Sequence, residues 1–419
     1  MPLSDIARAV EDLFHRDTVP VLKRQGWRPR VIPYDGYGTS APAQSESSAP
    51  ADPPRPPSTR ARRTNQTRTG AVGRSGTASS SRQASPPTSM ARVLARMVMR
   101  PQNAPAEGPL FRSLPASLPV SPAQARDFAM TGLLDAQRGW RLFIEVPVAF
   151  LPVTVHVGRA SVRTRADRSG YIDVVVRDHG LEPGWHEARI EAMGAHAVAA
   201  KVLIIPEGPR LGIISDIDDT AMVTHVPRVL VAAWNQLVKY SSAREPVPGM
   251  AELYSRIQAA HPGTPMMYLS TGAWNVVPTL RSFFSRHGFP SGPALMTDWG
   301  PTNTGWFRSG IEHKRTELRR LMIDLPQITW ILFGDDGQHD PYIYGEAARH
   351  HADRIAAVAI RRLTATEQVL AGGLTVHPMG IGPEARTLAE AAVPAVVGTD
   401  GYELARLLPR ELLEASPRR

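Results

Sequence analysis

The strongest constraint on the fold of this chain is an alternation of strand-like and helix-like segments that begins near Arg210. Five apolar runs of strand length occur in the order LGIIS, PMMYLS, PALMTDW, ITWILFG and RIAAVAIRRL. Between them lie three runs with helical spacing, GMAELYSRIQAAH, WNVVPTLRSFFSRHG and EHKRTELRRLMI. This alternation predicts a parallel sheet with helices on both faces, so we predict an α/β fold for residues 207–419.

Polar clusters follow three of these predicted strands, in the stretches SDIDDT, LSTG and FGDDGQHD. The first cluster contains Asp216 and Asp218, and the third contains Asp335, Asp336 and Asp340. The carboxyl ends of parallel strands meet at one edge of a sheet, which is where ligands bind in such folds. We therefore expect these carboxylates to gather at one rim.

Carboxylates placed this close repel each other, and a bound cation removes that repulsion. Oxygen ligands at this density suit Mg²⁺, and the absence of cysteine excludes a thiolate site. Phosphate is the substrate that best uses such a rim, because a metal and a lysine neutralise its charge while a carboxylate attacks phosphorus. Ser270, Thr271 and Lys314 would supply the remaining donors.

The chain before this region has a different pattern. From Trp140 to Pro206 short alternating runs are separated by turns, which is typical of an all-β sandwich. Strand-like runs also flank residues 40–90, so we predict one sandwich-like domain over residues 27–206 with residues 40–90 as an insertion. Residues 1–26 carry acids among spaced apolar residues instead of the basic start and apolar block of a secretory signal. We predict an N-terminal helix there.

Residues 40–90 are rich in Pro, Ser and Arg and nearly free of large apolar residues. Such a segment does not bury enough surface to offset its ordering entropy, so we expect it to be disordered. Its seven arginines and two acids contribute more than half of the formal net charge of +9. A solvated spacer is the plainer interpretation, and contact with acidic lipid or nucleic acid is the alternative.

Several protein classes are disfavoured. No stretch approaches the ~20 consecutive apolar residues of a membrane span. Neither the GxSxG motif of serine hydrolases nor the GxxxxGK[ST] loop of P-loop nucleotidases occurs. The lack of cysteine agrees with a reducing cytoplasm.

The stretches DIDDT, YLSTG, HK and GDDGQHD, in this order, resemble the four motifs of haloacid dehalogenase superfamily phosphatases. The context from DWGPTNTGWFRSGIEHK to ILFGDDGQHDPYIYGE is more narrowly similar to the actin-patch-type phosphatidate phosphatase family, whose catalytic domain follows a β domain in bacterial members. The specific likeness covers about residues 210–362, with a looser one over the β domain. It implies a haloacid dehalogenase-like Rossmannoid parallel sheet with helices on both faces, preceded by an all-β sandwich-like domain.

The resemblance also implies roles for the first two motifs. Asp216 would be the nucleophile that forms an aspartyl phosphate, and it would ligate Mg²⁺. Asp218 would protonate the leaving oxygen and later activate water, while its backbone carbonyl ligates the metal. Thr220 would support the turn, and it is assigned with Thr271 to the substrate side.

The third and fourth motifs receive roles in the same way. Ser270 would hydrogen-bond the phosphoryl group, and Lys314 would pair with it. Asp335 and Asp340 would complete the Mg²⁺ site. Asp336 is the weaker candidate for the last ligand, and the sequence leaves open which of Asp336 and Asp340 lies nearer the metal.

These inferences predict a Mg²⁺-dependent phosphatase acting through an aspartyl phosphate, with conversion of phosphatidate to diacylglycerol as the first choice. A phosphatase for a soluble phosphomonoester or phosphoprotein is the alternative, and a non-catalytic membrane or protein adaptor is the second. We expect a cytoplasmic protein in peripheral contact with anionic membrane through the arginine-rich segment and a helix at residues 226–240. No nucleic acid partner is expected, and the oligomeric state is left open.

Overall fold

The structure is a computed structural model that describes residues 22–24, 26–40, 89–101, 146–223, 245–297, 310–337, 339–370 and 393–415. Most of the predicted N-terminal helix, nearly all of the arginine-rich insertion and the helix expected at 226–240 lie outside these residues. Among the described helices, none is both long enough and apolar enough to cross a membrane.

Eight strands form the first sheet. The long first and second strands are the segments predicted as strands on either side of the insertion. The eight are β1 (Trp27–Thr39), β2 (Met90–Pro101), β3 (Val146–Pro147), β4 (Pro152–Val157), β5 (Ala160–Arg165), β6 (Tyr171–Arg177), β7 (Gly184–Ala192) and β8 (Val198–Ile205).

The first sheet is mixed and curled. Strand β2 pairs antiparallel with β1 along its length, and its other edge is shared by β6 and then β3. Strand β1 pairs parallel with β8, and the sheet continues through β7 and β4 to β5 in antiparallel pairs. Strands β5 and β6 lie at opposite ends of this order yet contact each other, so the sheet bends into a half-barrel around its own apolar core.

Six strands form the second sheet, and all of its pairs are parallel. Its spatial order is β11-β10-β9-β12-β13-β14. Strands β9 and β12 occupy the centre and consist largely of buried residues, as near-continuous apolar runs predict. The strands are β9 (Arg210–Ser215), β10 (Met266–Ala273), β11 (Ala294–Thr297), β12 (Ile328–Asp335), β13 (Ile355–Arg361) and β14 (Ala395–Gly398).

Six α-helices are present in the described part of the chain, and each follows a strand of the second sheet in sequence. The third of them carries Lys314, and the fourth begins at Asp340. They are α1 (Met250–Ala260), α2 (Val277–Arg286), α3 (Gly310–Asp324), α4 (Asp340–His350), α5 (Ala365–Leu370) and α6 (Gly401–Leu407).

The predicted fold class was wrong. The described residues hold fourteen strands against six α-helices, so the molecule is mostly β: a mixed curled sheet beside a separate parallel sheet. It is neither a haloacid dehalogenase-like Rossmannoid sheet with helices on both faces nor a sandwich of two packed sheets. Period-2 alternation shows that one face of a strand is buried, but not whether a second sheet or the same curled sheet covers that face.

The two sheets share buried apolar contacts. Tyr34, Tyr37 and Leu94 of the first sheet belong to the same buried cluster as Ile213 and Phe333 of the second. The curled sheet therefore rests directly on the unit that contains the predicted site.

Candidate active site

Strand β9 delivers Asp216 to the carboxyl edge of the parallel sheet. The Asp216 amide donates to the carbonyl of Phe333 on the neighbouring β12 (2.9 Å), which continues the ladder one residue past the strand. Ser215 Oγ donates to the Asp216 carbonyl (2.6 Å) and lies 2.7 Å from the Tyr254 hydroxyl of α1. The backbone of Asp216 is thus fixed from two sides, and its side chain is buried.

The chain turns sharply after Asp216. Asp219 adopts a positive φ of 59°, a conformation that Asp tolerates better than most residues, and its amide donates to the carbonyl of Met222 (2.7 Å). The Arg361 guanidinium donates to the Asp219 carbonyl (2.9 Å) from the end of β13. This turn leaves Asp218 half-buried, on the side of the cluster that solvent reaches, while Asp216 stays inside.

The second motif lies beside Asp218. Ser270 Oγ contacts Asp218 Oδ2 at 3.4 Å and accepts from the Gly272 amide at 2.9 Å. Thr271 is half-buried against the start of α3, where a Cβ added to Gly310 would lie 2.9 Å from the Thr271 side chain. A glycine at this position lets the helix begin close to the second motif.

Lys314 projects from the first turns of α3 into the centre of the carboxylates. Its Nζ lies 2.8 Å from Asp216 Oδ1 and 2.6 Å from Asp340 Oδ1, and the side chain is 2% exposed. A buried ammonium needs close carboxylates to offset its desolvation, and here it has two. Lys314 therefore bridges the first and fourth motifs.

Asp335 and Asp340 complete the cluster. Asp335 ends β12, and its Oδ1 accepts from the Gly337 amide (2.8 Å). Asp340 begins α4 and is fully buried. It reaches the cluster because Gly334 lacks a side chain: an added Cβ there would lie 2.6 Å from the Asp340 side chain.

Asp336 points away from this cluster. Its Oδ1 accepts from the Leu363 amide (2.8 Å), beyond the end of β13. The second acid of the fourth motif that joins the cluster is therefore Asp340 and not Asp336, which the sequence had left open.

The carboxylates of Asp216, Asp335 and Asp340 bring their oxygens within 4.8 Å of one another. Among the residues that the structure describes, Oδ2 of Asp335 and Oδ2 of Asp340 are buried without a hydrogen-bond partner. Buried carboxylate oxygens are rarely left so, and an oxygen-liganded divalent cation would satisfy both. The donor set fits a hard cation. The Asp218 carboxylate lies with Ser270 instead of in this set.

The electrostatics of the cluster follow from its burial. Burial, opposed by Lys314 and reinforced by Asp340 and Asp218, raises the pKa of Asp216 to about 7. Burial and the neighbouring Asp340 and Asp216 raise the pKa of Asp335 well above its usual range. Burial alone would lower the pKa of Lys314, but the surrounding carboxylates hold it above its ordinary value. Lys314 is therefore a fixed positive charge.

Two supporting residues were missed from the sequence. Arg361 was counted only as part of a strand, and Tyr254 only as part of a helix. Thr220 is completely buried, and its Oγ1 makes a long 3.5 Å contact with Asp216 Oδ2. A signal for Arg361 exists in principle, since a charged residue inside the apolar run IAAVAIRR needs a buried partner.

A known family matches the part of the chain that carries the cluster. Residues 211–362, which hold every residue of the cluster, match the family model described as phosphatidate phosphatase APP1, catalytic domain. This match agrees with the family resemblance noted in the sequence. No curated protein matches the chain.

Solved structures resemble the chain only weakly. A carbohydrate acetylesterase from Xanthomonas citri has 10% identity and a TM-score of 0.25, with 62% of this chain and 67% of that chain covered. A 2,6-sialyltransferase from Photobacterium has 8% identity and a TM-score of 0.22, with 64% of this chain and 55% of that chain covered. Similarity at this level carries no argument about function.

Proposed function

We propose that this protein is a Mg²⁺-dependent phosphatase that hydrolyses phosphatidate to diacylglycerol through an aspartyl phosphate, because residues 211–362 match the family model described as phosphatidate phosphatase APP1, catalytic domain. The observation that carries the proposal is the cluster of three buried carboxylates around Lys314, two of which keep an oxygen that no described residue pairs with. A structural ion pair does not need three acids for one base.

The cation would be held by the carboxylates of Asp216, Asp335 and Asp340, with the backbone carbonyl of Asp218 as a further ligand. Mg²⁺, when bound, would neutralise charge on the phosphoryl oxygens and on the clustered carboxylates. In the absence of a cation, the raised pKa values of Asp216 and Asp335 favour protonation of these two carboxylates, which also lowers the charge of the cluster.

The chemistry assigned to the chain uses two carboxylates in sequence. A carboxylate oxygen of Asp216 attacks phosphorus, the bond from phosphorus to the ester oxygen breaks, and Asp218 gives its proton to that oxygen. Water then attacks the aspartyl phosphate, Asp218 takes the water proton, and inorganic phosphate leaves. The half-buried position of Asp218 supports this role, because an acid–base residue must reach both the ester oxygen and water.

Lys314 and Ser270 would act on the phosphoryl group itself. The ammonium stays charged throughout, so it stabilises negative charge that develops on phosphoryl oxygens during the transfer. Ser270, with Thr271 beside it, would donate hydrogen bonds to the same oxygens. Thr220 supports the turn that places Asp218 against the substrate.

We also propose that the enzyme works in the cytoplasm, at the surface of anionic membrane, with its arginine-rich segment in contact with lipid headgroups. Thr39 and Met90 are direct partners in the β1–β2 ladder, so the chain enters and leaves that segment at one place. A four-residue turn in place of residues 41–88 should therefore leave both strands intact. It should weaken binding to anionic vesicles and leave hydrolysis of a small soluble ester unchanged, and undiminished vesicle binding would refute the contact.

The first experiment is phosphate release by the purified protein from phosphatidate in mixed micelles, with and without Mg²⁺, beside a panel of soluble phosphomonoesters. Asp216→Asn is the control for the proposed nucleophile. Mg²⁺-dependent release from phosphatidate that this variant abolishes is the expected result. Release from soluble esters alone would keep the mechanism and reject the lipid, whereas no release from any ester would favour the adaptor.

A further inference from the structure

Helix α3 contacts the curled sheet along one face, formed by Glu317, Arg320 and Asp324. Residues three and four apart share a helix face, so these side chains lie in a row. Arg320 pairs with Asp173 of β6 (2.8 Å), and Asp324 accepts from the Tyr37 hydroxyl of β1 (2.8 Å). The helix that supplies Lys314 is thus held from outside the parallel sheet.

Arg92 of β2 makes the contact nearest to the active site. Its Nη1 and Nη2 donate to the two carboxylate oxygens of Glu317, at 2.6 and 3.2 Å. Its Nε and Nη2 donate to the two oxygens of Asp173, at 2.9 Å each, and Nη1 also donates to Tyr37 (3.1 Å). A guanidinium has five N–H donors, and this pattern uses all of them.

The Arg92 guanidinium, which pairs with Glu317 at one edge and with Asp173 at the other, forms a two-edged fork. This fork fixes both the position and the rotation of α3. Arg92 is 3% exposed, and a planar guanidinium paired at two edges admits one geometry where a lysine ammonium would admit many. Glu317 lies one turn after Lys314 on the same helix, so a displacement of the α3 backbone at Glu317 moves the Lys314 backbone by a similar amount.

The same sheet also touches the second motif. Trp274, four residues after Ser270, lies with its ring centroid 4.5 Å from that of Tyr34 and 6.2 Å from that of Tyr171. Both elements that present cationic or hydroxyl donors to the cluster are therefore braced by the curled sheet.

We propose that Arg92 is a positioning residue: by holding Glu317 in a two-edged fork, the curled sheet places Lys314 between Asp216 and Asp340. The inference rests on the proposed phosphatase function for its catalytic consequence, but the placement of Lys314 is measurable without turnover. It assigns the first sheet a part in catalysis, through α3.

The test compares Glu317→Gln with Asp324→Asn. Both variants remove one charge from the same face of α3, but Asp324 is ten residues from Lys314, about 15 Å along the helix. Since small displacements of a reacting group carry large kinetic costs, we expect Glu317→Gln to lower kcat roughly 10- to 100-fold with KM within about twofold. Asp324→Asn should lower the thermal midpoint and leave kcat unchanged.

Lys314 acylation, followed by mass spectrometry, gives the readout that needs no activity. The exposed Lys201 of β8 serves as internal standard. Glu317→Gln should raise Lys314 labelling relative to Lys201 by about threefold or more through local opening of the helix start, and Asp324→Asn should not. If Glu317→Gln does not fold, Arg92→Lys replaces it, because lysine keeps the charge and loses the fork.

If Glu317→Gln and Asp324→Asn change kcat and Lys314 labelling only in proportion to their losses of stability, the inference is overturned. Wild-type kcat and wild-type Lys314 labelling for Glu317→Gln would also overturn it. If the wild-type protein hydrolyses no phosphomonoester, the proposed function fails, and the difference in Lys314 labelling alone decides the positioning role.

Discussion

Two charge clusters in this protein, each centred on a buried cation and both in contact with α3, differ in how their charges are compensated. At the rim of the parallel sheet, Asp216, Asp335 and Asp340 surround a single base, Lys314, and two carboxylate oxygens have no hydrogen-bond partner in the described part of the chain. At the junction with the curled sheet, two arginines meet two acids and every donor of the central guanidinium is used. That cluster consists of Arg92, Arg320, Asp173 and Glu317.

The difference separates a site that needs a ligand from a network that fixes a geometry. A balanced, fully hydrogen-bonded network fixes a geometry and needs no further ligand. An acid-rich cluster with orphaned oxygens is stable only if protons or a cation compensate the excess charge. The pKa values agree: burial raises that of Asp216 to about 7, whereas the arginines, acting against burial, lower that of Asp173.

The largest expected effect comes from breaking the balanced cluster. Arg92→Met leaves Glu317 buried without its partner, and removal of one member of a buried ion pair costs about 3–5 kcal/mol of unfolding free energy. Arg281→Met is the matched control, since Arg281 of α2 also pairs a helix with the curled sheet, through Asp35 of β1, but its side chain is 44% exposed. The control should cost less than about 1 kcal/mol in urea unfolding. Similar losses of unfolding free energy for both variants would show that the Arg92 network contributes no more to stability than an exposed ion pair.

The next effect comes from removing one acid of the unbalanced cluster. Asp335→Asn takes away a proposed metal ligand, so we expect the Mg²⁺ concentration for half-maximal activity to rise roughly 100-fold or more. Asp336→Asn, one residue further, keeps an oxygen for the Leu363 amide and should stay within about threefold of the wild type. A comparable rise for both variants, measured by Mg²⁺ titration of phosphate release, would contradict the metal assignment.

The two clusters should also respond differently to pH. The folded-state pKa of Asp216 lies above its ordinary value of 3.8, so its contribution to stability in metal-free protein is complete below about pH 4 and is lost as pH rises through about 7. Asp173 has a lowered pKa, so its contribution is present above pH 3.8 and is lost only in stronger acid.

Mg²⁺ competes with protons for the acid-rich cluster. We therefore expect Mg²⁺ to raise the thermal midpoint more at pH 8 than at pH 5.5, because the carboxylates are ionised at the higher pH. Differential scanning fluorimetry with Mg²⁺ or EDTA at both pH values measures this. An equal increment at the two pH values would place the cation elsewhere.

The smallest expected effect lies at the edge of the balanced cluster. Tyr37→Phe removes the hydroxyl that accepts from Arg92 and donates to Asp324. One hydrogen-bonding group in a network that keeps its ion pairs is worth about 1–1.5 kcal/mol, with no change in kcat. A fall in kcat would mean that the far end of α3 also controls the active site.

The acid-rich cluster was largely predictable and the balanced one was not. Asp216 directly follows β9, Asp335 ends β12 and Ser270 lies in the second half of β10, and the carboxyl ends of these parallel strands meet at one edge of the sheet. Arg92 and Glu317 are 225 residues apart and lie in unremarkable local patterns. Nothing in either segment points to the other.

Residue spacing and motif order are local properties. They were therefore enough to predict the strands, the helix that carries Lys314 and the likeness of residues 211–362 to a phosphatase domain. Only the tertiary structure decided that Asp340 and not Asp336 joins the cluster, that the first eight strands form one curled sheet, and that this sheet grips α3. The physical reason is that spacing reports which face of a segment is buried, while the partner that covers this face is chosen by the packing of the whole chain.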